Sequence, residues 1–279
     1  MKPDTLARYT ERICKVLDYL YAHSDSEPDL YTLADVACLS PYHFHRVYRG
    51  LMGETLVDTL KEIRLRKAAG ELARTRVQLA RIAERAGFGS LPAFSRAFQQ
   101  RYGTSPGRYR AIRALPFPYA EEQDMYPIEI TAEAGTPLVG LAHHGDYYQI
   151  GLAFNKLFLH AGGAGWMQPM PRCIGLFYDD PNQVPEEKLR SHAAICIAAV
   201  PDPLPAPFEG LAIPAGRTAT LRYTGPYSDL PEAYAWLFGH WLPQSGEETR
   251  DFPAYEEYMN DPKTTPPAEL LTLIHLPLV

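Results

Sequence analysis

The sequence predicts a multidomain chain. An all-α domain over residues 1–114 carries two helix-turn-helix units joined by a long helix. An α+β domain over residues 126–279 follows, with duplicated strand–helix–strand–strand units around a concave antiparallel sheet. Three observations carry this reading. One short pattern occurs twice in the first half, over Thr32–Arg49 and Ile82–Gln99, each time a short helical segment, a tight turn and a second amphipathic segment. Landmarks of the second half recur at an offset of 80 or 81 residues. Charge also divides sharply: residues 1–115 hold 19 Lys and Arg against 12 Asp and Glu, while residues 116–279 hold 8 against 21. A basic module joined to an acidic one fits a nucleic-acid binder fused to a part that does not bind phosphate.

Along the chain, Leu6, Tyr9, Ile13, Val16, Leu17 and Leu20 fall at helical spacing and predict an amphipathic helix packed on the first unit. Thr32, with Asp35 three residues on, is expected to cap the second helix. Ser40-Pro41 opens the third, because proline tolerates a first-turn position whose N–H has no helical partner. Leu56, Leu60, Ile63, Leu65, Ala69 and Leu72 predict one long helix from Glu54 to Arg74 that bridges the two units. Gly87 supplies the positive φ of the second turn, Pro92 opens the next helix, and Gly103-Thr104-Ser105-Pro106 ends it.

Prolines and a switch to acidic character mark residues 115–125 as the linker. Beyond it, Ile128–Ala134, Leu138–His144, Ile174–Tyr178, Ala193–Ala199, Thr218–Tyr223, Tyr255–Met259 and Leu271–Leu276 read as strands. Ile150–His160 and Leu230–Leu242 read as helices. Gly145, Tyr147, Ala153, Leu157 and Phe158 recur as Gly225, Tyr227, Ala233, Leu237 and Phe238. Asp180-Pro181, Pro185, Leu189 and Ser191 recur as Asp261-Pro262, Pro266, Leu270 and Thr272. The constant order and offset favour a duplicated fold over coincidence.

Several functions are set aside by what the chain lacks. Cys14, Cys38, Cys173 and Cys196 form no CxxC pair or metal-ligand spacing, and read as reduced core residues of a cytoplasmic protein. Residues 1–20 have no apolar signal core, and no 18-residue apolar run occurs, so neither secretion nor a membrane partner is expected. His43 and His45 point apart on a helix, and His143 and His144 face opposite sides of a strand, so no metal site is expected. The run Gly162–Gly165 lacks a following Lys-Ser/Thr and reads as a loop. With no Ser-His-Asp, P-loop or zinc spacing, the expectation is a protein without cofactor and not an enzyme.

On a helix opening at Pro41, the residues Tyr42, His45, Arg46 and Arg49 share the face opposite Phe44, Val47 and Tyr48. Arg46 suits a bidentate guanine contact, His45 a base edge, Tyr42 a thymine methyl, and Arg49 a phosphate. In the second unit Leu91, Pro92, Ser95, Arg96 and Gln99 face outward while Phe94, Phe98 and Tyr102 face the core. Leu91 and Pro92 offer no hydrogen bonds, so this helix is expected to discriminate through shape and backbone contact more than the first.

The run Gly87-Phe88, Phe94-Ser95-Arg96-x-Phe98, Gly103-x-Ser105-Pro106-x-x-Tyr109-Arg110 resembles the signature of AraC/XylS-type transcription regulators, and Ser40-x-x-x-Phe44-x-Arg46 fits it too. The resemblance covers roughly residues 8–112 and implies double-stranded promoter DNA as partner, with RNA polymerase beside it. Base-contact positions of that family fall on Tyr42, His45, Arg46, Leu91, Pro92, Ser95 and Arg96; Cys38 stands where a glycine is frequent.

Residues 126–279 resemble a GyrI-like (gyrase-inhibitor-like) effector-binding domain. The matching pieces are Gly225-Pro226-Tyr227, Trp241-Leu242-Pro243, Phe252-Pro253-x-x-Glu256-x-Tyr258-x-Asn260-Asp261-Pro262 and the closing Leu271–Leu278. The resemblance implies a small-molecule effector as partner. The 81-residue offset sets Glu256 against Gly175, Glu257 against Leu176 and Tyr258 against Phe177, so the carboxylate pair exists in one copy only. Alternation sends Glu256 and Tyr258 to one face and Glu257 to the other. Glu256 matches the family position and is expected to be a buried acid ringed by Tyr147, Tyr227, Trp236 and Tyr258, a setting for an amphipathic cation. Two other readings stay open for this half: a module for a protein partner, and a hydrolase with a glutamate as general base.

Overall fold

The computed structural model describes residues 3–26, 28–114, 126–181 and 183–279; the linker expected at 115–125 lies outside the described residues. The first half is helical. On helix α1 (Pro3–Ala22), Ile13, Val16 and Leu20 are buried against α2 (Leu30–Val36) and α3 (Pro41–Met52). Helix α2 starts earlier than expected: the cap is Asp29, whose carboxylate accepts the Thr32 N–H at 3.3 Å, so Thr32 already lies inside the first turn. Ser40 caps α3 as expected, with Pro41 in the first turn. Helix α4 (Leu56–Arg74) opens on a capping box between Thr55 and Asp58. It is the spine of two cores: Ile63 belongs to the cluster of α1–α3, while Leu65, Ala68, Ala69 and Leu72 join Phe94, Phe98 and Tyr109 of the second unit. That second unit is α5 (Leu79–Arg85) and α6 (Leu91–Tyr102), backed by α7 (Pro106–Ala114).

The two helix-turn-helix turns are built alike. Cys38 N–H donates to Asp35 O and Leu39 N–H to Ala34 O; Gly87 N–H donates to Glu84 O and Phe88 N–H to Ala83 O. Both pivots are left-handed, Cys38 at φ 50° and Gly87 at φ 75°. Cys38 is exposed rather than a core residue, because a left-handed pivot between two packed helices turns its side chain outward.

The second half holds an eight-stranded antiparallel sheet. Its strands are β1 (Ile128–Glu133), β2 (Thr136–His144), β3 (Cys173–Phe177), β4 (Arg190–Cys196), β5 (Glu209–Ile213), β6 (Gly216–Thr224), β7 (Tyr255–Tyr258) and β8 (Leu271–Pro277). The order is β1-β6-β8-β7-β3-β4-β2-β5. Read outward from the middle pair, β7/β3, β8/β4, β6/β2 and β1/β5 are equivalents, so the duplication organises the whole sheet. Strand β5 was not expected from the sequence. It is short, mostly exposed and at the sheet edge, and so lacks the apolar alternation that marks the others.

Helix α8 (Gly151–Ala164) follows a 3-10 turn at Tyr147–Gln149, and α9 (Leu230–Trp236) follows the equivalent turn at Tyr227–Asp229. The helix expected to run on to Leu242 widens into a π-helical turn at Leu237–Trp241 before α10 (Leu242–Ser245). Pro243, which has no N–H to continue the regular ladder, stands just beyond that widening.

The halves share a broad seam. Helix α1 packs on α8, and α4 rests across both equivalent turns, Tyr147–Gln149 and Tyr227–Asp229. Ion pairs cross it: Arg74 with Asp146 at 2.9 Å and with Glu186 at 3.1 Å, Lys263 with Glu54 at 3.3 Å, and Lys156 with Asp18. Gly151 lets Arg66 come close here: a Cβ would fall 2.1 Å from a guanidinium nitrogen, which would have to move.

Candidate functional site

The outward face of α3 carries Tyr42, His45, Arg46 and Arg49, all exposed, while Phe44 and Tyr48 are buried beneath. The Arg46 guanidinium lies 4.5 Å from the centre of the Tyr42 ring, a cation–π contact that holds it along the helix surface. On α6, Leu91, Pro92, Arg96 and Gln99 are exposed and Ser95 is half-buried, above buried Phe94 and Phe98. Each of these helices begins at a serine-capped, proline-containing first turn, so both present the same N-terminal geometry to a groove.

In the second half, β7 lies at the centre of the sheet between β8 and β3. There Glu256 is buried, and its carboxylate accepts the Tyr258 hydroxyl at 2.7 Å. Burial pushes its pKa up from 4.5 to about 7, against the opposing pull of Tyr258 and Tyr234. The Tyr234 hydroxyl affects this carboxyl without closing a hydrogen bond, and is a buried polar atom without a partner among the described residues. Across the strand pair, Gly175 faces Glu256. A Cβ there would come within 2.7 Å of the Tyr258 hydroxyl and 2.9 Å of the Phe177 ring, so this glycine makes room for the acid and its tyrosine.

Glu257 turns the other way, as alternation requires. Arg172 grips it with nitrogens at 2.9 and 2.8 Å, and His275 Nε2 stands at 3.2 Å. Although burial opposes ionisation, these partners hold its pKa down to about 2. The two adjacent glutamates are therefore opposites: one is a neutralised structural ion pair, the other a carboxyl with no cation against it among the described residues.

Glu256 opens into a cavity of about 1740 Å³ lined by Tyr147, Tyr227, Tyr234, Tyr258, Phe154 and Phe177, among others. The Tyr258 ring meets Phe154 of α8 at 5.5 Å and Tyr227 at 5.3 Å, so the floor lies between the two helical sides of the repeat. Tyr147 contributes its ring. Its hydroxyl is already occupied, 3.0 Å from Asp179 O, Arg190 O and Asp179 N.

Trp236 does not join the ring of aromatics. It is buried against Tyr126 at 5.4 Å and His240 at 5.7 Å, in the core behind α9. Helical geometry explains this, because Tyr234 and Trp236, two residues apart, point about 200° apart. Tyr234 is the α9 residue that reaches Glu256. The first half also supplies walls that sequence reasoning did not name: Arg66 and Ala69 of α4, and Arg101 and Tyr102 at the end of α6. A signal existed in α4, whose apolar residues wrap most of its circumference, the pattern of a helix packed on more than one side.

A twin helix-turn-helix face joined to a sheet-floored cavity defines a DNA-binding module coupled to a small-molecule-binding module. A helix-turn-helix domain is matched over residues 33–112, and a GyrI-like small molecule binding domain over residues 126–279. The chain belongs to the GyrI-like family, with an AraC-type helix-turn-helix domain preceding that fold. It is 28% identical over 110 residues to the Bacillus subtilis bifunctional transcriptional activator/DNA repair enzyme AdaA, a match covering 39% of this chain and 52% of that one. With the Escherichia coli arabinose operon regulatory protein it shares 30% identity over 101 residues, 36% of this chain and 35% of that protein. The chain thus spans about half the length, or less, of these curated relatives. The EcmrR C-terminal domain is a structural neighbour at 19% identity and TM-score 0.45, covering 56% of this chain and 98% of that domain.

Proposed function

We propose that this protein is a ligand-responsive transcription regulator of the cytoplasm. Residues 1–114 hold promoter DNA, residues 126–279 hold the effector, and residues 115–125 join them. Tyr42, His45, Arg46 and Arg49 read one major groove and Leu91, Pro92, Ser95, Arg96 and Gln99 the next, with RNA polymerase as the protein partner. The effector is a small hydrophobic molecule whose cationic end sits on Glu256, among Tyr147, Tyr227, Tyr234 and Tyr258.

One observation carries the ligand reading: a carboxyl buried under aromatic rings at the floor of a large cavity, its pKa raised to about 7 by burial, with no cation against it among the described residues. A bound cation supplies the missing partner, and tyrosine faces add cation–π attraction. Thiol catalysis is disfavoured there, since burial pushes the lining thiol, Cys173, up to about 11 and leaves it a poor nucleophile.

The experiment is a thermal-shift series on the full chain, wild type and Glu256→Gln, against hydrophobic cations and matched neutral analogues. Stabilisation by the cations that disappears in Glu256→Gln is expected. No shift with any compound would turn the assignment towards a protein partner.

A further inference from the structure

The cavity has a second charged feature, at the wall supplied by the DNA-binding half. Arg66 of α4 and Arg101 of α6 both lean on one carboxylate, Glu62. Arg66 Nε stands 2.9 Å from Glu62 Oε1, and Arg101 Nε lies 3.0 and 2.9 Å from its two oxygens. Partnered by both guanidiniums, Glu62 is held down at about 2 and carries one full negative charge. Two cations sharing one anion leave a positive excess, and both arginines line the cavity. Among the described residues, no hydrogen bond reaches either Nη of Arg66 or the Nη1 of Arg101.

Several acids around the cavity pair with other cations: Asp146 and Glu186 with Arg74, Asp179 with Arg190, and Glu257 with Arg172. Tyr227 stands between the two charged ends. Burial raises its phenol, with Arg66 and Arg101 opposing and Glu256 adding to the rise, and its ring lies against Tyr258. An aromatic passage therefore connects an acid without a cation to a guanidinium pair with positive charge to spare.

We propose that the cleft takes an amphoteric ligand spanning the seam between the halves, its cationic end on Glu256 and an acidic group on Arg66 and Arg101. This rests on the reading of Glu256 as a cation site and extends it. Guanidinium suits the second end, since its fork of donors matches a carboxylate or a phosphate. The position also gives the ligand a direct hold on DNA recognition. Arg101 is in the last turn of the same 12-residue helix whose first turns carry Leu91, Pro92, Ser95 and Arg96. A ligand bonded to both ends fixes that helix relative to the sheet, and by linkage DNA then alters ligand affinity by the factor with which ligand alters DNA affinity.

The test uses two fluorescent probes that differ in one group: rhodamine B, with a delocalised cation and a free benzoate, and its ethyl ester, which keeps only the cation. Fluorescence anisotropy on the full chain is expected to give about tenfold tighter binding of the acid than of the ester, the scale of one charge-assisted hydrogen bond. Arg101→Gln is expected to bring the acid-to-ester ratio close to one, and Arg101→Lys to restore most of it. Arg66→Gln serves as the second variant should Arg101→Gln fail to fold. Equal affinity of the two dyes in wild type, or a full preference for the acid in a folded Arg66→Gln or Arg101→Gln variant, would overturn the proposal. Ester binding that weakens in Glu256→Gln with no preference for the acid would remove this inference alone. Binding of neither dye would remove the cation site with it.

Discussion

Gly175 and Glu256 are direct partners across the β3–β7 pair, and they are also equivalents under the 81-residue duplication. A pair of positions that both align and face each other lies on the local twofold of the repeat. Glu256, a buried carboxyl with no cation against it among the described residues, therefore stands where the two copies meet. Had both copies kept the acid, two carboxylates would oppose each other directly in mid-sheet, at a separation where like charges repel. Glycine in one copy avoids that repulsion and leaves the space Tyr258 needs to reach Glu256.

Replacing Gly175 tests this directly. Gly175→Ala is expected to destabilise the chain by about 1–3 kcal/mol, because the new methyl must displace the Tyr258 hydroxyl and the Phe177 ring edge. The same change should weaken binding of hydrophobic cations. Chemical denaturation and ligand titration measure the two effects separately. Unchanged affinity would mean that Tyr258 does not organise the carboxyl.

The raised pKa of Glu256 has a signed consequence for stability. The folded state holds this proton up to about pH 7, whereas the unfolded chain releases it near the ordinary 4.5. Stability from this group is therefore present at low pH and lost as pH rises from about 4.5 through 7. Glu256→Gln should match wild type at pH 4 and exceed it by about 3 kcal/mol at pH 8.5. Cation affinity in wild type should rise over the same interval and level off above it. Melting curves across pH with no difference between the two proteins would contradict the buried, proton-holding carboxyl.

Glu257 carries the opposite sign. Its lowered pKa makes its contribution present above the ordinary carboxylate range and lost as pH falls towards 2. Glu257→Gln removes the carboxylate shared by Arg172 and His275, leaving Arg172 its contact with Glu133, and is expected to cost about 3 kcal/mol at neutral pH, read by denaturant unfolding. A loss below 1 kcal/mol would show that the pair is replaceable by solvent.

The left-handed pivots give a local comparison. Cys38→Gly relieves a non-glycine residue at φ 50° and removes an exposed side chain, so a gain of about 1 kcal/mol is expected. Gly87→Ala adds strain at φ 75° and sets a Cβ 2.2 Å from Arg64 Nη1, so a loss of similar or larger size is expected. Thermal unfolding of both variants reads the two signs.

On the DNA face, Arg46→Ala and Arg96→Ala are each expected to lower specific affinity by about 1–3 kcal/mol and relax discrimination at one base pair. Tyr42→Ala should cost less and act through Arg46, whose guanidinium rests on that ring. Binding assays at fixed salt against site and non-site DNA separate base reading from phosphate contact. Equal losses on both DNAs would reassign Arg46 to the backbone.

Local chemistry was legible in the sequence because it depends on neighbours along the chain. Helical periodicity, the Ser40 cap, the Pro92 helix start, the glycine pivot at Gly87 and the 81-residue repeat each reflect interactions within a few residues or a copied unit. Alternation alone placed Glu256 and Glu257 on opposite faces. Tertiary structure decided what long-range packing controls. It turned Trp236 into the core and brought Tyr234 to the carboxyl, since rotation about α9 is set by what the helix packs on. It made β5 a strand, since only pairing along β2 holds that edge segment extended. It also laid α4 and α6 against the cavity, so that Glu62, Arg66 and Arg101 meet in space although Arg101 lies 39 residues from Glu62 in sequence. No pattern along the chain records which charges will be buried together, because that depends on the three-dimensional path that removes them from water.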